Sequence, residues 1–392
     1  MSSALINRNP DLQRLALEGY EVEIRSGYLL VHGIPYVNAS RQVNRATLVS
    51  NLSLAGDKTI RPDPHVAFFT GDHPCNIDGR EIVQIKHNSQ QTNLASDITV
   101  NHSFSNKPPT GYVDYYEKMT RYIEIISAPA QALEPTATAC TFKAMACAPD
   151  DGVFNYLDTA SGRAGITAVS EKLKMQKVAI VGLGGTGSYV LDFLAKTPLR
   201  EIHLYDDDLF LQHNAFRAPS AASLEDLQLQ PTKVAYHQGR YAKLHRGIHA
   251  HSVRIGPGNV AELLSCNFVF LCMDSGPVKK LIVEALQAKG VPFVDTGIGT
   301  ELLEDELTLW AICRVTTSTP TKGDHVPKRV SFAEAGDDDY ERNIQIAELN
   351  ALCAAMAVIK WKKYCGFYQD LEREHDSTYT TNIQLLTAED CT

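Results

Sequence analysis

No stretch of this 392-residue chain is apolar for long enough to form a membrane-spanning helix, which needs about 20 such residues. The first residues also lack the apolar core of a secretion signal. The expectation is a soluble, cytoplasmic protein with no membrane partner. No two cysteines are spaced as Cys-x-x-Cys. The nine are scattered: Cys75, Cys140, Cys147, Cys266, Cys272, Cys313, Cys353, Cys365 and Cys391. An odd number without a secretion signal reads as reduced thiols. Positive charge is also short, with 37 basic against 46 acidic residues and a formal charge of −9. That deficit argues against nucleic acid as a partner.

Hydrophobic residues make up 44% and charged residues 21% of the chain, a globular balance with length for two domains. Its organising stretch runs from Lys177 to Ser188. Val178 to Val181 is a short apolar run that reads as a buried strand. Gly182, Gly184, Gly185 and Gly187 follow at once, and Val190, Leu191, Phe193 and Leu194 then recur at helical spacing. Strand, glycine turn and helix together present backbone N–H groups to a phosphate. A lone Gly-x-Gly-x-x-Gly is a weak signal, so the downstream residues matter. A second strand, Glu201 to Tyr205, ends in Asp206, where a ribose-binding carboxylate belongs. Asp208, Asn214, Arg217 and Lys233 come next, and a third strand, Phe268 to Met273, runs into Asp274.

This ordered set resembles the adenylating domain of the ThiF and ubiquitin-activating enzyme superfamily, over roughly Tyr156 to Trp361, about half the chain. The resemblance implies an α/β fold: a Rossmann-like doubly wound adenylation domain at 151–392, preceded by a separate N-terminal α+β domain at 1–150. It implies ATP and Mg²⁺ as cofactors. It also implies a ubiquitin-like protein, whose C-terminal glycine is adenylated, and a conjugating enzyme as partners; the small size and single nucleotide-binding unit suggest a homodimer. Many superfamily members hold structural zinc on paired Cys-x-x-Cys motifs. This chain departs from them there, so no zinc is expected.

Adenylation is attack of a carboxylate on the α-phosphorus of ATP, with pyrophosphate leaving. The site must align the phosphates and neutralise growing charge. In this reading the glycine loop and Ser188 cradle phosphate and Asp206 takes the ribose hydroxyls. Arg217 and Lys233 face the phosphates, Asn214 orients them, and Asp274 holds Mg²⁺. Asp208 helps with the metal or fixes Arg217. Arg163, just upstream, matches by position an arginine that reaches the nucleotide of the partner subunit. The nucleophile that follows stays open among three readings. Cys313 forms a thioester. A hydroxyl of the loop Thr316, Thr317, Ser318, Thr319 forms an oxyester, with His325 as base. Or the reaction stops at the adenylate, which passes to a partner. The alternatives are a sulfur-carrier activator of cofactor biosynthesis, an NAD-dependent oxidoreductase, and a scaffold with a dead site. The oxidoreductase leaves Arg217, Lys233 and Asp274 without a task.

Elsewhere, Asn9 to Leu15 reads as a capped helix, and Tyr20 to Arg25 with Tyr28 to Val31 as a hairpin. Leu48–Leu54 and Val66–Thr70 read as strands, and residues 86–111 as largely polar. Tyr115 to Ile126 is expected to be a helix running into a strand, with its tyrosines packed. His65, His73, His87 and His102 fit no metal spacing. Residues 127–155 read as a linker region and 164–173 as a helix. Thr296 to Gly299 reads as a glycine turn, 316–341 as a polar loop, and Ile344 to Tyr364 as a strong helix. Beyond Asp376 the tail is expected to be partly disordered.

Overall fold

A computed structural model of the chain describes residues 2–147, 152–174, 176–274, 276–333 and 344–392. It divides into two compact units, Met1–Thr167 and Ala168–Thr392. Residues 334–341 of the expected 316–341 loop and part of the expected linker lie outside the described residues.

The first unit holds a six-stranded antiparallel sheet. Its strands, in spatial order, are Glu21–Arg25, Tyr28–Val37, Val43–Asn51, Ala67–Phe69, His102–Phe104 and Lys86–Asn88. Ser26 and Gly27 both have positive φ, 51° and 80°, as a tight two-residue hairpin turn requires. The helix Tyr115–Leu133 packs on the strand Tyr28–Val37. Tyr115 and Tyr122 are fully buried within that core. The strand expected after Ile126 is instead more helix, because Ile126 and Ala130 continue the buried stripe at helical spacing. Asn9 precedes a helix, Pro10–Leu17, but does not cap it. Its amide donates to the Leu5 and Asp57 carbonyls. Among the histidines, His65 and His87 each meet a serine hydroxyl at 2.9 Å, and His73 and His102 pack by Phe104. The polar stretch 86–111 is structured, carrying four short strands.

The second unit is built on one eight-stranded sheet. Five strands are parallel: β1 (Lys177–Val181), β2 (Glu201–Tyr205), β3 (Ile248–His251), β4 (Phe268–Leu271) and β5 (Phe293–Leu303). Three antiparallel strands extend it: β6 (Thr308–Ser318), β7 (Asp376–Thr380) and β8 (Leu385–Glu389). The order is β3-β2-β1-β4-β5-β6-β7-β8. Four helices matter for the site: α1 (Gly185–Leu194), α2 (Lys233–Tyr241), α3 (Pro277–Lys289) and α4 (Ala347–Tyr364). β1 and β4 are buried almost end to end, as parallel strands covered on both faces must be. The strand order reverses between β1 and β4. That reversal opens a crevice beyond their C-terminal ends.

Three expectations change here. Thr296 to Gly299 is not a turn but the middle of β5, paired residue by residue with β6. The tail beyond Asp376 is the ordered hairpin β7–β8, which extends the sheet. Residues 164–173 form no continuous helix: Gly165 has φ of 66° and breaks it into short pieces.

A buried ion network holds the middle of this sheet. Asp295 is fully buried; Lys279 of α3 meets one of its oxygens at 2.8 Å and Arg314 of β6 the other at 2.7 Å. Removing one member of such a set strands the other charges. Asp295→Ala is expected to lose about 3–5 kcal/mol of unfolding free energy, read from urea denaturation. A loss within experimental error would show that the network is not structural.

Candidate active site

The glycine loop is shaped by three close approaches. Gly182 has φ of 91°, and a Cβ there would lie 2.6 Å from the Cys272 carbonyl oxygen. A Cβ at Gly185 would lie 2.1 Å from the Asn350 amide, and one at Gly187 would lie 1.9 Å from the Gly182 carbonyl oxygen. These glycines therefore let β1, β4, α1 and α4 meet. Gly184 differs: a Cβ there would meet no protein atom within 4 Å. Gly184 lines the crevice, so its bareness leaves room for a ligand against the start of α1.

The crevice measures about 490 Å³. Gly182, Gly184 and Gly185 line it, and so do Asp206, Asp208, Arg217, Lys233 and Asp274. Asp206 anchors the arrangement, with its side chain only 8% exposed. One of its oxygens accepts the Leu183 N–H at 2.6 Å, and the other accepts the Asp208 N–H at 3.0 Å. Burial pushes its pKa up, while Lys233 and the two N–H groups pull it down. Lys233, the first residue of α2, places its ammonium 2.5 Å from Asp208 and 3.5 Å from Asp206. Asp208 thus pairs with Lys233. Asp274 follows β4 and is exposed at the crevice.

Other expected residues sit elsewhere. Ser188 is fully buried, and its hydroxyl donates to the Gly185 carbonyl at 2.7 Å. It belongs to the second turn of packing and does not reach the crevice. Gly187 is likewise a packing residue. Asn214 is buried, and its side-chain oxygen accepts the Leu211 N–H at 2.8 Å, so it fixes the turn leading to Arg217. Arg163 is exposed on the helix Thr159–Arg163 of the first unit.

The nucleophile candidates are corrected more sharply. Cys313 lies on β6, fully buried in the core, its thiol 3.6 Å from the Leu349 carbonyl. It cannot meet a substrate there. Thr316, Thr317 and Ser318 are not on a loop. β6 runs through them, and they are 0%, 5% and 3% exposed. Ser318 pairs with Phe293, which is level with Val269. At ~3.3 Å per residue this places it about 7 Å below the ends of the parallel strands, away from the crevice. Thr319 is half-buried just beyond, its hydroxyl 3.4 Å from Nε2 of His375. His325, the expected base, is buried and donates Nε2–H to the Thr317 carbonyl.

The sequence reading missed Asn350. It is fully buried on α4, its side chain fills the space a Cβ at Gly185 would occupy, and its oxygen accepts the Thr186 hydroxyl at 3.0 Å. The available signal was one amide within an otherwise apolar helical stripe. Gln345 and Arg254, which also line the crevice, carried no such signal.

As a metal site, the crevice offers hard oxygen donors. Ligand oxygens of Asp206, Asp207 and Asp208 lie within 4.8 Å of one another, with Asp274 on the same crevice. Carboxylates suit Mg²⁺, although Lys233 already neutralises two of them.

Comparison with known proteins covers both units. The ThiF family matches residues 159–357, and a domain of unknown function, DUF6791, matches residues 10–159. Among solved structures, E. coli MccB with ATP is 18% identical, covering 59% of this chain and 69% of that one at a TM-score of 0.45. E. coli MccB with MccA-N7isoASN is 17% identical over the same shares, also at 0.45. PaaA is 18% identical, covering 57% of this chain and 75% of that one at 0.46. No curated protein sequence matches.

The close approach at Gly187 makes one substitution diagnostic. Gly187→Ala is expected to lose about 1–3 kcal/mol through overpacking, seen as a lower urea midpoint at an unchanged slope. An unshifted midpoint would mean that the loop and β4 have room to part.

Proposed function

The chain belongs to the ThiF family, and from that premise we propose that it adenylates the terminal carboxylate of a partner protein's tail with ATP. In this reading the partner is a ubiquitin-like protein ending in glycine. The observation that carries the proposal is the convergence of Gly184, Arg217, Lys233 and Asp274 on one crevice at the strand-order reversal. A hydride-transfer site would need the glycine loop and Asp206. It would have no use for two cations and a carboxylate facing them.

The roles follow from position. N–H groups at the start of α1 receive phosphate oxygens beside the bare Gly184. Asp206 holds the loop by Leu183, which leaves the more exposed Asp208 to meet the ribose. A triphosphate entering the crevice competes with Asp208 for the Lys233 ammonium. Lys233 and Arg217 then face the charge that builds as the carboxylate oxygen bonds to the α-phosphorus and pyrophosphate departs. Asp274 would hold Mg²⁺ together with the phosphates, and the ion would neutralise charge on the leaving pyrophosphate.

The acceptor is assigned to another molecule. Cys313 is sealed in the core, Thr317 and Ser318 are buried below the strand ends, and the buried Thr316 hydroxyl donates to Asp376. The adenylate therefore passes to an external nucleophile, in this reading a conjugating enzyme. Homodimerisation belongs to the same reading, with Arg163 directed to the partner subunit's nucleotide.

Pyrophosphate exchange into ATP, with candidate ubiquitin-like proteins as carboxylate donors, tests the first step. Asp274→Ala and Arg217→Ala are expected to lower exchange about 10²-fold or more with the urea midpoint unmoved. Cys313→Ala is expected to keep exchange. Exchange untouched by the first two variants would sink the assignment. A hydroxylamine-labile adduct on the wild-type chain would refute the external acceptor.

A further inference from the structure

The first unit carries a relay of polar side chains to which adenylation assigns no role. Its strand Tyr28–Val37 pairs with Val43–Asn51, and the pairing slips between Val31, opposite Leu48, and Ile34, opposite Ala46. His32 and Gly33 therefore face Thr47 alone. Two residues against one make a β-bulge, a device that re-aims a side chain. Gly33 takes φ of 69° there. The His32 ring stands between two neighbours: Nδ1 is 2.9 Å from the Thr47 hydroxyl, and Nε2 is 2.8 Å from Glu23 of the strand Glu21–Arg25.

The direction of this relay is fixed at its acidic end. As a carboxylate, ion-paired with Arg25 at 3.4 Å, Glu23 can only accept. Nε2 of His32 therefore carries the ring proton, and Nδ1 offers its lone pair to the Thr47 hydroxyl. A hydroxyl bonded to a base that a third group orients is the arrangement that activates a weak nucleophile. The side chains of His32 and Glu23 are 24% and 31% exposed, and Thr47 is half-buried, so the relay is shielded yet open to a substrate. A second hydroxyl stands beside it. Thr70 Oγ1 accepts the Thr47 N–H at 3.0 Å, which leaves the Thr70 proton to donate. Leu30 and Val49, each two residues along the strand from His32 and Thr47, are buried in one apolar cluster with Ile98 and Val100. Apolar surface beside a nucleophile suits an acyl group.

We propose that the first unit cleaves acyl esters, with Thr47 as nucleophile, His32 as general base and Glu23 as positioning residue. The Thr47 oxygen bonds to the ester carbonyl carbon as its proton passes to Nδ1 of His32, and Glu23 holds the imidazolium that results. Negative charge gathers on the carbonyl oxygen, and the Thr70 hydroxyl is the donor placed to meet it. The bond to the leaving alcohol then breaks, and that oxygen takes the proton from His32. Water, deprotonated by the same nitrogen, attacks the threonyl ester, releases the carboxylic acid and restores the Thr47 hydroxyl. One ester and one water give one acid and one alcohol. No step draws on ATP, so this activity stands apart from the adenylation reading.

The test uses the full chain without nucleotide, with a fluorophosphonate probe and with p-nitrophenyl acetate. The probe is expected to label Thr47 as fluoride leaves phosphorus, with the position read by peptide mass spectrometry. Thr47→Val keeps the shape without the hydroxyl and should abolish the label; Thr47→Ser should keep it. His32→Gln should slow ester turnover about 10²-fold or more. Glu23→Gln should lower kcat at least about tenfold with KM unchanged, a split that loss of sheet bracing would not give. Urea midpoints confirm that the variants fold. Turnover beyond one equivalent separates catalysis from acylation of the nine cysteines. Absence of label at Thr47 overturns the proposal. So does ester turnover that survives both Thr47→Val and His32→Gln.

Discussion

The second unit depends on one carboxylate. Asp206 stands at the end of β2, almost without solvent, and each of its oxygens accepts a backbone N–H from a different loop. One bond fixes Leu183 in the glycine loop after β1. The other fixes the turn that carries Asp208. Lys233, reaching in from α2, supplies the charge that makes a buried carboxylate tolerable. Glycine loop, acidic turn and cationic helix start are thereby registered to a single point. The glycines add the second condition: β1, β4 and α4 come so close at Gly182, Gly185 and Gly187 that side chains have no place there.

A second network ties the site's far wall to the added strands. From Asp295 it runs through Arg314 to the Thr316 hydroxyl, and from there to Asp376 of β7. Arg329 joins Asp376 at 3.9 Å and Asp390 at 2.8 Å. The C-terminal hairpin is therefore held by buried polar contacts at its first strand, and its outer strand β8 stays largely exposed. Lys279, which shares Asp295, lies on α3, the helix that begins just after Asp274. The helix that follows the acidic residue at the crevice and the strands at the sheet's edge are thus braced through one buried anion.

What the sequence made legible follows from this physics. β1 was readable because four buried apolar residues run straight into glycines, a pattern few other structures need. The charged residues lining the crevice were readable because strand ends and helix starts are where an α/β sheet exposes polar groups. Thr316 to Ser318 misled, since a run of hydroxyls reads as a loop. Their burial depends on Arg314 and Asp376, and Asp376 lies sixty residues on. The tail misled for the same reason: its polarity is real, but it pairs with a strand that local composition does not announce. Ser188 followed the glycines in sequence, yet helical rotation turned it from the crevice into the packing beneath. Asn350 was invisible as a partner of Gly185 because 165 positions separate them.

These placements bear on how the chemistry divides between molecules. In the proposed reaction an acyl-adenylate would form at the C-terminal ends of the parallel strands. A nucleophile on β6 would have to act from a strand that runs the other way, with its hydroxyls turned into the protein. Moving it would break the pairing with β5 and β7 and take from Asp295 one of its two cationic partners, Arg314, leaving Lys279 alone to compensate it. The sheet extension that stabilises this unit thus buries Cys313, Thr316, Thr317 and Ser318 among its own candidate nucleophiles. In the proposed reaction, a chain built this way activates a carboxylate and leaves the second bond to a group that arrives from outside.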